Sequence, residues 1–366
     1  MTQCTEVWVD RTNYRDTKVV ELSLGEPADG EILVAIEKFG LTANNVSYAI
    51  SGDAIGYWGY YPTGEEGWGK VPVWSIGRVV ASNCVDVAVG ERLWGFFPMA
   101  SHVVLQPGKI AAEHFVDMAA HRQELPALYN GYRRTVAEPE MLTQMENERC
   151  LLFPLFITSF VLYDFLVDNE FFGAGQVLIG SASSKTGFGL AKMLHNDPEV
   201  SVKVVGLTSE RNVAFLEKLG CCDQIVVYGN EHEEIDAHLP AAYVDMSGDV
   251  ALTTTLHEHL GDNMKNSAMV GASHWQDRGP IGQLPGAKPT FFFAPGQIAK
   301  RDEEWGRGMA MAKAMQASVM VAQAIKDDVQ VEWVKGAEAL IQTWQQLLDN
   351  QVPPTRGLMV SLLDEA

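Results

Sequence analysis

The sequence predicts an α/β chain whose second half forms a doubly wound parallel sheet and whose first third is rich in β-strands. Three observations carry this reading. From residue 151 onward, strand-like runs alternate with helix-length segments, the pattern of βαβ units. Those runs are almost continuously apolar, as strands covered by helices on both faces are. Before residue 110 the runs crowd together, separated by turn residues.

The bulk numbers fit a folded chain. Its 366 residues lead us to expect two domains, and 47% hydrophobic against 20% charged residues provides material for packed cores. A net charge of -20 argues against nucleic acid and against anionic membranes as partners. No run reaches the roughly 18 consecutive apolar residues of a spanning helix. The longest apolar stretch, 151–166, is broken by Pro154, Thr158, Ser159 and Asp164. The first eleven residues hold no apolar signal core. Cys4, Cys84, Cys150, Cys221 and Cys222 are odd in number and mostly scattered. That suits reduced thiols and a cytoplasmic location.

In the first part, Glu31–Ile36, Val71–Ile76 and Gly77–Ala81 read as strands, with an aromatic, glycine-rich loop at Gly56–Pro62. Residues 112–149 show no period and read as a long connection or insertion. The second part offers strands at Val177–Gly180, Lys203–Thr208, Gln224–Tyr228, Ala242–Met246 and Ala268–Ala272, with Phe291–Phe293 as a sixth. Helices are expected at Asp302–Lys326 and Gly336–Asn350, and a strand at Leu358–Leu363.

The central motif runs from Val177 to Leu194. An apolar strand ends at Gly180, a turn of small residues follows, and a helix begins near Thr186 and stops at Asp197-Pro198. Small residues let the backbone approach a diphosphate, and a helix N-terminus supplies free N–H groups and a positive dipole end. Gly189 would allow close helix–strand packing. The spacing is not a strict GxGxxG, so an ordinary βα turn competes with a dinucleotide site. A P-loop does not fit, because Lys185 comes one position early and Ser184 replaces the second glycine.

About 20 residues beyond such a loop, an NAD enzyme usually places Asp or Glu against the ribose hydroxyls. Here Thr208, Ser209, Glu210 and Arg211 stand at that point. Hydroxyls with a guanidinium suit a 2′-phosphate, and Lys185 is a second candidate cation. NADP(H) is therefore expected over NADH, with Glu210 keeping NADH open. Candidate cofactor ligands are Ser181, Ser183, Ser184, Lys185, Thr186, Gly187, Thr208, Ser209, Arg211, Gly271 and His274.

The chain as a whole resembles the medium-chain dehydrogenase/reductase superfamily, on its zinc-free quinone-reductase and enoyl-reductase side. Ser75–Ala81 with Val87–Phe96 resembles the stretch ending in the family's GDRVWGF turn. Pro154–Phe160 resembles the segment before its nucleotide domain, Phe215–Asp223 its FLKSLGAD helix end, and Asp245–Gly248 the end of its fourth nucleotide-domain strand. The segment Phe291–Gly306 resembles a branch known as a domain of unknown function. The resemblance implies a GroES-like catalytic domain at 1–149, a Rossmann domain at 150–295 and a return to the catalytic domain at 296–366. It also implies a homodimer and a small-molecule substrate.

Departures from the family pattern are specific. The loop often reads A-x-x-G-x-x-G, where this chain has Ser181, Ser184 and Gly187. The four-cysteine zinc lobe and the Cys and His ligands of the zinc alcohol dehydrogenases have no counterparts here, so no zinc is expected.

Without a metal, hydrogen bonds must stabilise charge on a carbonyl oxygen, and a proton donor must stand nearby. In zinc-free relatives the segment matching Ala43–Gly52 lines the nicotinamide site, which makes Tyr48, Asn44 and Asn45 the catalytic candidates. Aromatic packing is the competing reading of Tyr48. Tyr57, Trp58 and Tyr61 could wall a flat or apolar substrate, or simply cluster together. Lys300 and Arg301 could bind cofactor phosphate or an acidic substrate group, or be a solvated pair at a helix start. The leading expectation is an NADPH-dependent reductase of an activated alkene or carbonyl, such as a quinone, enone or enoyl thioester. The alternatives are a non-catalytic NADPH-binding sensor or scaffold, and a non-redox enzyme reusing the nicotinamide cleft that the resemblance implies.

Overall fold

The computed structural model describes residues 1–271 and 282–363. The chain forms two compact units. The first comprises Met1–Leu151, Val331–Val352 and the chain from Arg356 on; the second comprises Leu152–Gln330 and Pro353–Thr355.

The first unit is built on antiparallel strands. Its spine pairs β1 (Ile32–Leu41) with β2 (Pro72–Ser82), and β2 with β3 (Arg92–Pro98). Val34, Ile36, Phe39, Val73, Ile76, Val79 and Phe96 are buried along these strands. The sequence suggests a break at Gly77, yet one strand runs straight through it. A Cβ there would lie 2.6 Å from Val34 Cγ1, so this glycine serves close cross-strand packing rather than a turn. The 112–149 stretch is also more ordered than its lack of period suggests. It contributes the strands His114–Asp117 and Gly131–Arg134 to the same sheet.

The C-terminal part of the chain completes this unit. Arg356–Ser361 pairs with β1. In the helix Ala337–Leu348, the Trp344 indole N–H donates to the Tyr14 carbonyl at 2.7 Å and Gln345 donates to the Arg15 carbonyl at 2.8 Å.

The second unit opens with helix α2 (Phe153–Asp168; α1 is Ala43–Ile50 of the first unit). Pro154 fits its first turn, where no intrahelical N–H is needed. The hydroxyls that interrupt this apolar run bond back within it: Thr158 donates to the Pro154 carbonyl and Ser159 to that of Leu155. Six parallel strands follow: β4 (Gln176–Gly180), β5 (Lys203–Thr208), β6 (Gln224–Val227), β7 (Ala241–Asp245), β8 (Met264–Met269) and β9 (Thr290–Phe291). Their order is β6-β5-β4-β7-β8-β9, which is 3-2-1-4-5-6 in the unit's own count. This is the doubly wound dinucleotide order, with its switch point between the first and fourth strands.

Helix α3 (Lys185–Asn196) buries Phe188, Leu190, Ala191 and Leu194. Gly189, read from the sequence as a helix–strand contact, instead lies against Phe156 and Ser159 of α2. The single helix expected over 302–326 is two, α4 (Ala294–Trp305) and α5 (Met309–Ala324), parted at Gly306 and Gly308, both with positive φ. Both helices pack on α2. The return to the first unit therefore comes at Val331, where the sequence reading puts it at 296.

Candidate functional site

In the second unit, the carboxyl ends of β4 to β8 bring Ser181, Ser209, Tyr228, Met246 and Gly271 to one edge of the sheet. Ligands of open α/β sheets bind at such an edge, at the switch point. The strand-to-helix turn spans Ser181 to Ser184. The Ser184 hydroxyl caps α3 by accepting the Gly187 N–H at 3.1 Å. Gly187 has no room for a side chain, since a Cβ would lie 2.5 Å from the Ser181 carbonyl oxygen. Backbone and helix start are thus drawn tightly together, a shape that fits a diphosphate.

Around this turn the hydroxyls form a network. Thr208 donates to Ser183 Oγ at 3.0 Å, and the Asn212 amide donates to Ser183 Oγ at 3.0 Å and to Ser209 Oγ at 3.2 Å. Ser183, Thr208 and Ser209 are thereby brought together. Asn212 joins them although sequence reasoning passed over it; its place four residues past a strand end was the available signal. Arg211 is exposed beside them. Lys185 and Thr186 begin α3 and are half-buried, and burial pushes the Lys185 ammonium down to about 8.

On the far side of the switch point, Asp245 closes the end of β7. Its carboxylate accepts from Ser247 N, Ser247 Oγ and Gly248 N. Its carbonyl accepts the Gly271 N–H at 3.0 Å, so Gly271 sits at the same edge. His274 lies outside the described residues.

Arg301 departs from its expected role. It pairs with Asp164 at 2.8 Å and Asp168 at 3.0 Å on α2 and lies over the Trp305 ring. Its guanidinium fastens α4 to α2 instead of facing a substrate. A separate cavity of about 210 Å³ in this unit is lined by Phe165, Ala268, Phe291 and Phe293 among others, and by none of the residues expected in the site.

In the first unit, α1 carries the catalytic candidates. Tyr48 is buried, and its phenol accepts the Trp74 indole N–H at 3.2 Å. Asn44, one turn earlier, also bonds it. Burial, with Tyr129 adding to it, pushes the Tyr48 phenol far above its ordinary value. Asn45 is committed elsewhere: its carbonyl oxygen accepts the Thr42 N–H at 2.8 Å and its amide donates to Pro72 O at 3.0 Å. It secures the start of α1 and is not free for chemistry.

The aromatic loop splits in the same way. The Tyr57 ring lies 4.6 Å from that of Tyr48, and its hydroxyl is bonded to that of Tyr129 at 3.0 Å. Trp58 and Tyr61 are core residues instead of a substrate wall. Trp58 fills the space beside Gly52 and Gly69. Tyr61 is bonded to Phe96 O and Tyr132 and lies under the buried Arg122 guanidinium. The sequence reading missed Trp74 and Tyr129, because Trp74 lies 26 residues from Tyr48 and Tyr129 lies 72 residues from Tyr57.

Among the described residues, no group of three or more His, Cys, Asp or Glu side chains could hold a metal ion, and no helix is long and apolar enough to cross a membrane.

Residues 39–353 match the family described as "Protein of unknown function (DUF2855)". The chain belongs to the DUF2855 family. No curated protein matches it by sequence. Solved structures extend the comparison to the fold of this DUF2855 protein. It is similar to CurA from Vibrio vulnificus in complex with NADPH, with a TM-score of 0.62 at 12% identity, covering 99% of this chain and 100% of that one. The CurK enoyl reductase gives 0.54 at 11%, covering 98% and 99%. The quinone oxidoreductase from Coxiella burnetii gives 0.52 at 13%, covering 99% and 100%. Each of these likenesses is one of fold, at 11–13% identity, and covers 98–99% of this DUF2855 chain.

Proposed function

We propose that this DUF2855 protein is an NADPH-dependent, zinc-independent oxidoreductase acting on an activated alkene or carbonyl of quinone, enone or enoyl-thioester type. One observation carries the reading: hydroxyls and an amide gather where the second strand ends, with Arg211 following in sequence, beside a first-strand turn tight enough for a diphosphate. A fold neighbour in complex with NADPH supports it. Ser183, Ser209 and Arg211 would hold the 2′-phosphate side, and the turn from Ser181 to Gly187 the diphosphate. Gly271 and Lys185 would complete that site. When bound, NADPH supplies hydride. Tyr48, oriented by Trp74 and Asn44, would hold the proton at its phenol oxygen.

The buried Tyr48 phenol, raised far above its ordinary acidity range, favours a second reading as an NADPH-binding sensor without turnover. Titration with NADPH and NADH, followed by a screen of NADPH oxidation against enones, quinones and aldehydes, separates the two. Tighter NADPH binding with turnover is expected. Equal affinity for both dinucleotides would sink the NADPH preference, and tight binding with no turnover would favour the sensor. We expect a cytoplasmic homodimer, and light scattering on the purified protein at a monomer's mass would overturn the dimer.

A further inference from the structure

We infer that Tyr228 is a positioning residue for the phosphate turn: its phenol holds Ser181 in a left-handed backbone conformation and so sets how the turn meets a nucleotide diphosphate. This rests on the dinucleotide reading above.

Ser181 has φ +53°, a conformation that costs a serine energy and a glycine almost none. It is buried at the first position past β4. Something must hold it there. The Ser181 N–H donates to the Tyr228 phenol oxygen at 3.0 Å, and the Ser181 side chain bonds the same phenol. Tyr228 is itself fixed, because its backbone N–H donates to the Thr208 carbonyl at 3.0 Å at the end of β5. On the other side, Gly180 leaves no slack: a Cβ there would stand 2.7 Å from the Tyr243 hydroxyl. The turn therefore begins between two phenols.

The restraint passes along the turn. The Ser184 N–H donates to the Ser181 carbonyl at 2.9 Å, and Ser184 Oγ accepts the Gly187 N–H at 3.1 Å. The orientation of the Ser181 peptide thus governs the cap, and the cap governs the helix start that a diphosphate would meet. Tyr228 does this through its bonds to the Ser181 N–H and side chain.

The test compares full-length wild type with Tyr228→Phe, Ser181→Gly and the double variant. NADPH affinity is read by fluorescence titration and stability by thermal melting. Tyr228→Phe should weaken NADPH binding roughly tenfold, the scale of one well-placed hydrogen bond, while the melting temperature moves little. Adding Ser181→Gly should restore most of the affinity, because glycine takes φ +53° without support. That rescue is what a merely structural tyrosine would not give. Unchanged affinity in Tyr228→Phe, or a double variant as weak as Tyr228→Phe, overturns the inference. If wild type binds neither dinucleotide, the cofactor reading fails. The positioning claim is then decided by hydrogen exchange at the Ser181 amide, which should be slow in wild type and fast in Tyr228→Phe; equal rates overturn it.

Discussion

The hydroxyl of Ser184 accepts the Gly187 backbone N–H at 3.1 Å, so this serine of the strand-to-helix turn is put to use as the cap of α3. Ser184→Ala should cost about 1 kcal/mol of stability and Ser184→Gly only a few tenths, the usual spread for a lost N-cap. Urea denaturation of the full chain, followed by a probe in the second unit, reads the difference. Glycine proving worse than alanine would contradict the capping role.

Gly187→Ala places a methyl 2.5 Å from the Ser181 carbonyl oxygen and 2.9 Å from Ala182 Cα. Both are backbone atoms, so the turn itself must move. We expect a loss of about 1–3 kcal/mol in stability, typical of overpacking, and NADPH affinity reduced by more than tenfold. An alanine variant that melts and binds as wild type does would show that the turn is not so tightly set.

The Tyr48–Trp74 bond ties the candidate proton donor to the sheet. If Tyr48 supplies the proton, Tyr48→Phe should lower kcat by roughly 10²–10⁴, the range for general acid catalysis, with NADPH affinity unchanged. Trp74→Phe, which removes the orienting N–H, should lower kcat less and leave the fold intact. Undiminished turnover in Tyr48→Phe removes Tyr48 from the chemistry.

Lys185 gives two opposite pH trends. Its folded value is held down to about 8 by burial, while an unfolded lysine keeps its proton to about 10.4. Between those values the unfolded chain binds more protons, so stability should rise with pH from about 8 toward 10.4. A phosphate gripped by the ammonium needs that same proton, so NADPH affinity should fall above about pH 8, by at most about tenfold per pH unit. Titrations at stepped pH check both, and Lys185→Met should flatten both curves. A wild-type affinity that is level from pH 7 to 9 would exclude Lys185 as a phosphate ligand.

The parallel sheet was readable because its strands are buried on both faces and so are written as apolar runs: the observed Gln176–Gly180 and Ala241–Asp245 are buried along their full length. Their βα order then dictates the switch point and the turn. The side chains were less readable. Arg301 looks the same in sequence whether it meets a ligand or two aspartates 133 and 137 positions away, and only folding α4 onto α2 decides it. Tyr61 and Trp58 were misplaced for a similar reason. An aromatic loop reads as a surface wall until its partners, Tyr132 and Gly69, are known. Asn45 and Asn44 are neighbours in sequence, yet one helical step sends the first to Pro72 and the second to Tyr48.

The bonds from Trp344 and Gln345 to Tyr14 and Arg15 join segments 330 residues apart. A ribosome delivers the chain from its first residue, at about 5–20 residues per second. The opening β-strands therefore emerge long before the helix that covers them, and the strand Arg356–Ser361 that pairs beside β1 arrives later still. The parallel-sheet unit, encoded between, has all its parts before Val331 except the short Pro353–Thr355 segment. Biogenesis is thus ordered from the middle outward. A nascent chain halted near residue 330 would carry an almost complete parallel-sheet unit and an unfinished first unit whose apolar strands wait for a chaperone or for the rest of the message.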